Sequence, residues 1–101
     1  MLLRIIHGKV RPGTWASYER AYKEVVSKAG KIPGLRGRWL AHAEDDPDAG
    51  YTISLWESDA AMRAYESGET LKNTILPRLK PFFSGESTTT RCEVRFAEEF
   101  D

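Results

Sequence analysis

The chain has 101 residues, which is enough for one hydrophobic core, and we expect residues 1–101 to form a single domain. Its 15 basic and 15 acidic side chains cancel, so the chain lacks the basic stripe that nucleic-acid binding requires. No apolar run approaches the ~20 residues of a membrane span, and the single cysteine, Cys92, favours a reducing compartment. The composition therefore predicts a soluble cytoplasmic protein that binds neither nucleic acid nor membranes.

The first half of the chain predicts a strand, a helix and a second strand. The first strand covers Leu2–Val10 and ends before Pro12 and Gly13. Thr14 is the predicted N-cap of the helix, and Gly30 is its predicted left-handed C-cap. The second strand is predicted at residues 35–44. The apolar positions of the helix recur every 3.6 residues and form one wide face: Trp15, Tyr18, Tyr22, Val25, Val26 and Ala29.

The stretch from Tyr51 to Ser67 indicates a strand that runs almost directly into an amphipathic helix. Apolar and polar residues alternate from Tyr51 to Trp56 with a period of two, as in a strand with two different faces. Ser58 is the predicted N-cap, because its hydroxyl can accept the free N–H groups of the first helical turn. The apolar stripe of this helix consists of Ala61, Met62 and Tyr65.

The last third of the chain predicts short helical turns and a final strand. Leu71, Ile75 and Leu79 suggest a helical face, which prolines at 77 and 81 should limit to short pieces. Alternation returns at residues 88–96 and predicts the last strand. The order β-α-β-β-α-β defines an α+β, ferredoxin-like split βαβ fold. It has a four-stranded antiparallel sheet with both helices on one face.

The alternation also divides the strand residues between two faces of the predicted sheet. The face predicted to meet the helices holds Leu3, Ile5, Trp39, Ile53, Leu55, Val94 and Phe96. His7 alternates onto this same face. The other face combines Trp56, Leu40 and Ile6 with arginines, a mixture that is rare on a sheet face open to water. We therefore expect that mixed face to join two copies of the chain. Its predicted inter-subunit ion pairs use Arg36, Arg38, Arg91 and Arg95.

Two short motifs carry a family resemblance. Residues 32–37 (IPGLRG) precede the second predicted strand, and residues 54–58 (SLWES) end the third, followed by Ala61 and Tyr65. This pattern resembles the antibiotic biosynthesis monooxygenase (ABM) family of the dimeric α+β barrel superfamily. The resemblance implies a homodimer with face-to-face sheets and a small oxygenase that converts aromatic, polyketide-like or quinol substrates without metal or flavin. A non-oxidising ligand-binding or structural dimer, or an isomerase, on the same scaffold stays open.

One branch of that family degrades haem. It uses an asparagine on the first strand, a tryptophan on the second helix and a haem-ligating histidine further on. The corresponding positions of this chain are His7, Tyr65 and Ile75. Isoleucine offers no lone pair to iron, so we expect no haem. The two histidines have no carboxylate at metal-ligand spacing, so we expect no metal site.

His7 is the predicted catalytic residue, as a base or hydrogen-bond donor, because imidazole exchanges protons near neutral pH. A cofactor-free oxygenase needs such a group, since deprotonation makes the substrate electron-rich enough to reduce dioxygen. Tyr65 is the second predicted catalytic residue, as an orienting hydrogen-bond donor. The predicted walls of the substrate pocket are Trp15, Tyr22 and Trp39.

Each of these residues also has a structural interpretation. His7 could be a structural histidine bonded to a neighbouring backbone group, and aromatic residues at helical spacing could be ordinary core. Trp56 is assigned to the dimer contact and His42 to the surface or the interface. Cys92 is assigned to packing.

Overall fold

The structure, a computed structural model, describes all residues from 1 to 101. Its elements in chain order are β1 (Leu2–Val10), α1 (Trp15–Ala29), β2 (Leu35–His42), β3 (Ala49–Trp56), α2 (Asp59–Glu66), a broken helix over residues 70–82 that contains α3 (Leu76–Leu79), and β4 (Phe83–Glu93). The strands form one antiparallel sheet in the order β2-β3-β1-β4. The predicted ferredoxin-like β-α-β-β-α-β order is confirmed. No helix has the length and apolarity needed to cross a membrane.

The helix ends follow the predicted capping at α2 more closely than at α1. Ser58 Oγ accepts a hydrogen bond from the backbone N–H of Ala61 at 3.1 Å, as predicted. Thr14 occupies the N-cap position of α1, but its hydroxyl donates to the Arg11 carbonyl at 2.7 Å instead of capping the helix. Gly30 ends α1 with φ at 70° and ψ at −150°, a conformation essentially restricted to glycine.

Prolines divide the broken helix into three pieces. A π-helical turn spans Thr70–Ile75, α3 follows, and a 3₁₀ turn spans Lys80–Phe82. Pro77 and Pro81 each lie in the first turn of a piece, where the missing N–H costs no helical hydrogen bond. The predicted apolar face survives these breaks and packs with the α1 core; it consists of Leu71, Ile75 and Leu79.

The two faces of the sheet are exchanged relative to the prediction. Trp56 is 1% exposed and Leu40 packs against the α1 core, whereas Trp39 is 52% exposed. The face under the helices carries Leu2, Arg4, Ile6, Arg38, Leu40, Thr52, Ser54, Trp56 and Arg91. The opposite face, called the open face below, carries Leu3, Ile5, His7, Trp39, Ala41, Tyr51, Ile53, Leu55 and Cys92.

Polar partners on the helix side explain this exchange. The Trp56 indole N–H donates to Ser54 Oγ at 2.8 Å, so the ring can be buried without an unsatisfied donor. Arg4 donates to Glu66 of α2 at 2.7 Å, which allows a charged residue to face the helices. The prediction assigned arginines outward and aliphatic residues inward, and this assignment was wrong. A period of two specifies which residues share a face and leaves open which face is covered.

The last strand begins and ends earlier than predicted. β4 covers Phe83–Glu93 instead of residues 88–96, and Phe96 lies beyond it at 78% exposure. Val94 also follows the strand, so neither residue takes the predicted place under the helices. β4 is an edge strand that pairs only with β1. Its serines and threonines carry no apolar alternation, which is why the sequence did not indicate where it begins.

Candidate ligand cavity

A cavity of about 290 Å³ lies between the sheet and the helices. The covered face of the sheet forms its floor, and α1, α2 and the broken helix supply its walls. Of its 29 lining residues 17 are hydrophobic, which suits a mostly apolar small molecule held by a few polar groups. The aromatic residues that line it from the covered side of the sheet are Trp15, Tyr18, Tyr22, Trp56, Tyr65 and Phe83.

Trp15 reaches the cavity because β3 has no side chain beneath its ring. A Cβ atom added to Gly50 would lie 2.3 Å from the Trp15 indole. On the outer side, His42 stacks on Trp15 with ring centroids 4.2 Å apart and planes 5° from parallel. The His42 Nε2 atom also lies 2.9 Å from the Pro47 carbonyl oxygen. His42 is therefore a surface residue, as predicted, and helps to hold the Trp15 ring in place.

Three tyrosines bring hydroxyl groups to the cavity wall. Burial raises the pKa of Tyr18 to about 12, and burial also raises the pKa values of Tyr22 and Tyr65. The Arg38 guanidinium opposes the increase in pKa at both Tyr22 and Tyr65, so its positive charge lies near these two phenols. All three phenols are neutral at physiological pH and can donate hydrogen bonds.

A row of arginines crosses the covered face of the sheet. Arg38, Ser54, Arg4 and Arg91 are cross-strand neighbours on β2, β3, β1 and β4. Glu66 of α2 accepts a hydrogen bond from Arg4 Nε at 2.7 Å and one from Arg91 Nη2 at 2.6 Å. Burial alone would raise the pKa of Glu66, but the hydrogen bonds and charges of Arg91 and Arg4 outweigh it and lower that pKa.

The structure brings together three of the five predicted site residues. Tyr65, Trp15 and Tyr22 line the cavity. His7 and Trp39 do not: both lie on the open face, on the far side of the sheet, so their predicted orientation toward the helices was wrong. The His7 ring contacts Tyr51 instead, with centroids 4.8 Å apart.

Sequence reasoning missed the polar side of the cavity. Arg4 and Arg38 line it, although Arg38 was expected at a subunit interface. Two of the other predicted inter-subunit arginines have partners within the chain, since Arg91 pairs with Glu66 and Arg36 pairs with an exposed glutamate on the same chain. The sequence did hold a signal for their position. Side chains two residues apart on a strand share a face, so arginines in register with a large, readily buried tryptophan lie on the same face as that tryptophan.

Comparison with known proteins places this chain in a family. The sequence model of the family described as "Antibiotic biosynthesis monooxygenase" matches residues 1–75. The match covers well over half of the chain, and the protein belongs to this family. No protein of curated function gives a significant match.

Solved structures support the same architecture. A crystal structure of an antibiotic biosynthesis monooxygenase is 20% identical, covering 93% of this chain and 98% of that one, with a TM-score of 0.76. The haem-degrader MhuD from Mycobacterium tuberculosis, solved with two haems in its active site, is 20% identical, covering 98% and 100%, with a TM-score of 0.81. A conserved protein from Methanosarcina mazei is 14% identical, covering 91% of each chain, with a TM-score of 0.75. At these identities the similarity shows the fold.

Proposed function

We propose that this protein is a small cofactor-independent monooxygenase that acts on a flat aromatic or quinol-type molecule bound in the cavity. The observation that carries the proposal is the cavity itself, about 290 Å³ in volume and walled by aromatic rings and neutral phenols. Such a site stacks and encloses a planar ring system while a few hydroxyl groups orient it. Family membership supports oxygen chemistry at this site.

The proposed reaction needs only substrate and dioxygen. Loss of a proton to solvent from a phenol or an activated CH₂ group gives an electron-rich anion that can transfer an electron to dioxygen, and a proton from solvent is taken up again when water forms. One CH₂ group and one O₂ then yield a carbonyl group and water, so no external reductant is consumed. Tyr65 donates a hydrogen bond that orients the substrate oxygen, and Trp15 and Tyr22 pack against its ring. His7, on the other face of the sheet, has no part in this proposed site.

Haem is the ligand of one similar structure, the haem-degrader MhuD, and the residues of this cavity do not fit haem iron. Ile75 is buried and has no lone pair. Neither histidine lines the cavity, and Cys92 lies on the open face. Burial keeps the cavity tyrosines protonated, which makes them poor iron ligands. No step of the proposed reaction passes through haem.

We also propose a homodimer formed through the open face. This face exposes Trp39 and Tyr51, at 52% and 40%, beside aliphatic residues from the two central strands. A contiguous apolar sheet surface of this kind is typical of an interaction site, and two twisted sheets can pack about 10 Å apart with their side chains interdigitated. The proposed contact is therefore apolar, in contrast to the arginine-rich contact expected from the sequence. The aliphatic residues concerned are Leu3, Ile5, Ile53 and Leu55.

Oxygen uptake with a panel of anthrones and naphthoquinols tests the proposed function. We expect the wild-type protein to accelerate uptake, and Tyr65→Phe to slow it by at least about tenfold because a hydrogen bond to the substrate oxygen is lost. His7→Ala is the control variant, and its uptake should equal that of the wild type.

Two results would contradict this assignment. Loss of uptake in His7→Ala with retention in Tyr65→Phe would move the site to the open face. Tight binding of the same compounds without any oxygen uptake would favour the alternative function, a non-oxidising binding protein or an isomerase.

A further inference from the structure

Arg38 differs from the other arginines of the covered face because it has no acidic partner. Arg4 and Arg91 share the carboxylate of Glu66. Arg38 lines the cavity and is only partly exposed, yet no carboxylate lies within 4.0 Å of it and its side chain makes no hydrogen bond within the chain. A guanidinium group held partly out of water loses part of its favourable hydration free energy. A bound anion can offset that loss.

The surroundings of Arg38 leave its charge uncompensated. The arginine row carries three guanidinium groups and Glu66 is the only carboxylate bonded to it, so two positive charges are in excess. The positive charge of Arg38 acts on the phenols of Tyr22 and Tyr65, and both are neutral because burial raises their pKa values. One end of an otherwise aromatic cavity is therefore positively charged, and its guanidinium and phenol groups can donate hydrogen bonds to an anion.

We propose that Arg38 is a specificity-determining residue that binds a carboxylate group on the aromatic ligand of this cavity. The planar guanidinium fork matches the two oxygens of a carboxylate, and the hydroxyl groups of Tyr22 and Tyr65 can donate to the same anion. Arg4 lies two strands away, roughly 10 Å across the sheet at the usual strand spacing, and is already bonded to Glu66. The substrate class is thus narrowed from aromatic molecules in general to aromatic acids.

This inference rests on the proposed function only in using the same cavity, and a binding experiment separates the two. The probes are 2-naphthoate and 2-acetylnaphthalene, which have the same ring system and differ by a carboxylate oxygen against a methyl group. By titration calorimetry we expect the wild-type protein to bind 2-naphthoate more tightly. Arg38→Gln should weaken 2-naphthoate binding by about ten- to a hundredfold, the value of a charge-assisted hydrogen bond, and change ketone binding by less than about twofold. Arg38→Lys should restore part of the loss, because it keeps the charge without the fork.

Arg36→Gln is the matched control. Arg36 lies on the same strand and carries the same charge, but it is exposed, lies outside the cavity and pairs with Glu57 at 3.7 Å. We expect this variant to bind both probes like the wild type. An equal loss of both probes in Arg38→Gln would show that Arg38 acts through packing, and would overturn the inference. If Arg36→Gln lost as much 2-naphthoate binding as Arg38→Gln, the effect would come from the overall positive charge of the strand. That result would also overturn the inference.

The wild-type measurements distinguish the two proposals. A wild-type protein that binds the ketone as tightly as 2-naphthoate, or more tightly, has a ligand cavity without a carboxylate site. That result overturns the role of Arg38 and leaves the proposed function standing. A wild-type protein that binds neither probe overturns both the carboxylate site and the cavity as an aromatic ligand site.

Discussion

The two faces of the sheet differ in composition, and each departs from what an isolated domain should show. The covered face holds three arginines and a serine among buried or half-buried apolar residues such as Leu40 and Trp56, while the open face leaves aliphatic and aromatic residues uncovered. A lone domain normally buries its aliphatic residues and exposes its charges. The contrast teaches that each face of this sheet is composed for what it contacts. The covered face supplies the polar groups that line the ligand cavity, and the open face contacts, in our proposal, a second subunit.

The two tryptophans of the sheet test this contrast with the largest expected effect. Trp56→Ala removes a ring that is 1% exposed, and we expect the free energy of unfolding to fall by about 3–5 kcal/mol. Trp39→Ala removes a ring that is 52% exposed, and the loss should be about 1 kcal/mol or less. Urea unfolding at submicromolar concentration, where association contributes least, measures both. Similar losses in the two variants would contradict the assignment of the faces.

The proposed dimer can be broken from the open face alone. Leu55→Asp would place an unpaired charge within the proposed contact, and we expect the dimer dissociation constant to rise roughly a hundredfold. Sedimentation equilibrium should show the wild-type protein at twice its chain mass of 11.5 kDa at micromolar concentration, and the variant at 11.5 kDa. Ser27→Asp introduces the same charge on the exposed side of α1 and should stay dimeric. A wild-type protein that sediments as a monomer would refute the proposed dimer.

The covered face predicts a smaller effect that depends on pH. The pKa of Glu66 is lowered from its ordinary value of 4.5 in the folded state. Its carboxylate therefore stabilises the fold fully above that ordinary value, and the contribution is lost as the pH falls through the lower, folded pKa. Glu66→Gln should lower the free energy of unfolding by about 2 kcal/mol at pH 7. The stability of this variant should also depend less on pH below about 4.5.

Urea midpoints measured between pH 7 and pH 3 check this expectation. Asp59→Asn removes a carboxylate from an exposed pair with Arg63 on the same helix, and its stability should follow the wild-type curve. The prediction fails if Glu66→Gln and the wild type lose stability in parallel as the pH falls.

Helical and strand residues of the candidate site differed in how well the sequence predicted them. Trp15, Tyr22 and Tyr65 lie on helices, and a helix on a sheet has one apolar stripe that must face inward, so their positions were predictable. His7 and Trp39 lie on strands. The alternating pattern of a strand does not show which of its two faces the helices cover, and both residues were assigned to the wrong face. The charged part of the cavity was missed for the same reason.

The order of the elements, the inward stripes of the helices and the groups of strand residues that share a face were determined by the amino-acid sequence itself, because each depends on spacing along the chain. Only the tertiary structure decided which side of the sheet the helices cover. That choice depends on contacts between distant segments, such as Glu66 of α2 with Arg4 of β1, and the burial of Trp56 against Met62. A two-residue period is unchanged when the two faces are exchanged. The covered face is therefore selected by the residues that pair with the buried charges and pack around the large ring.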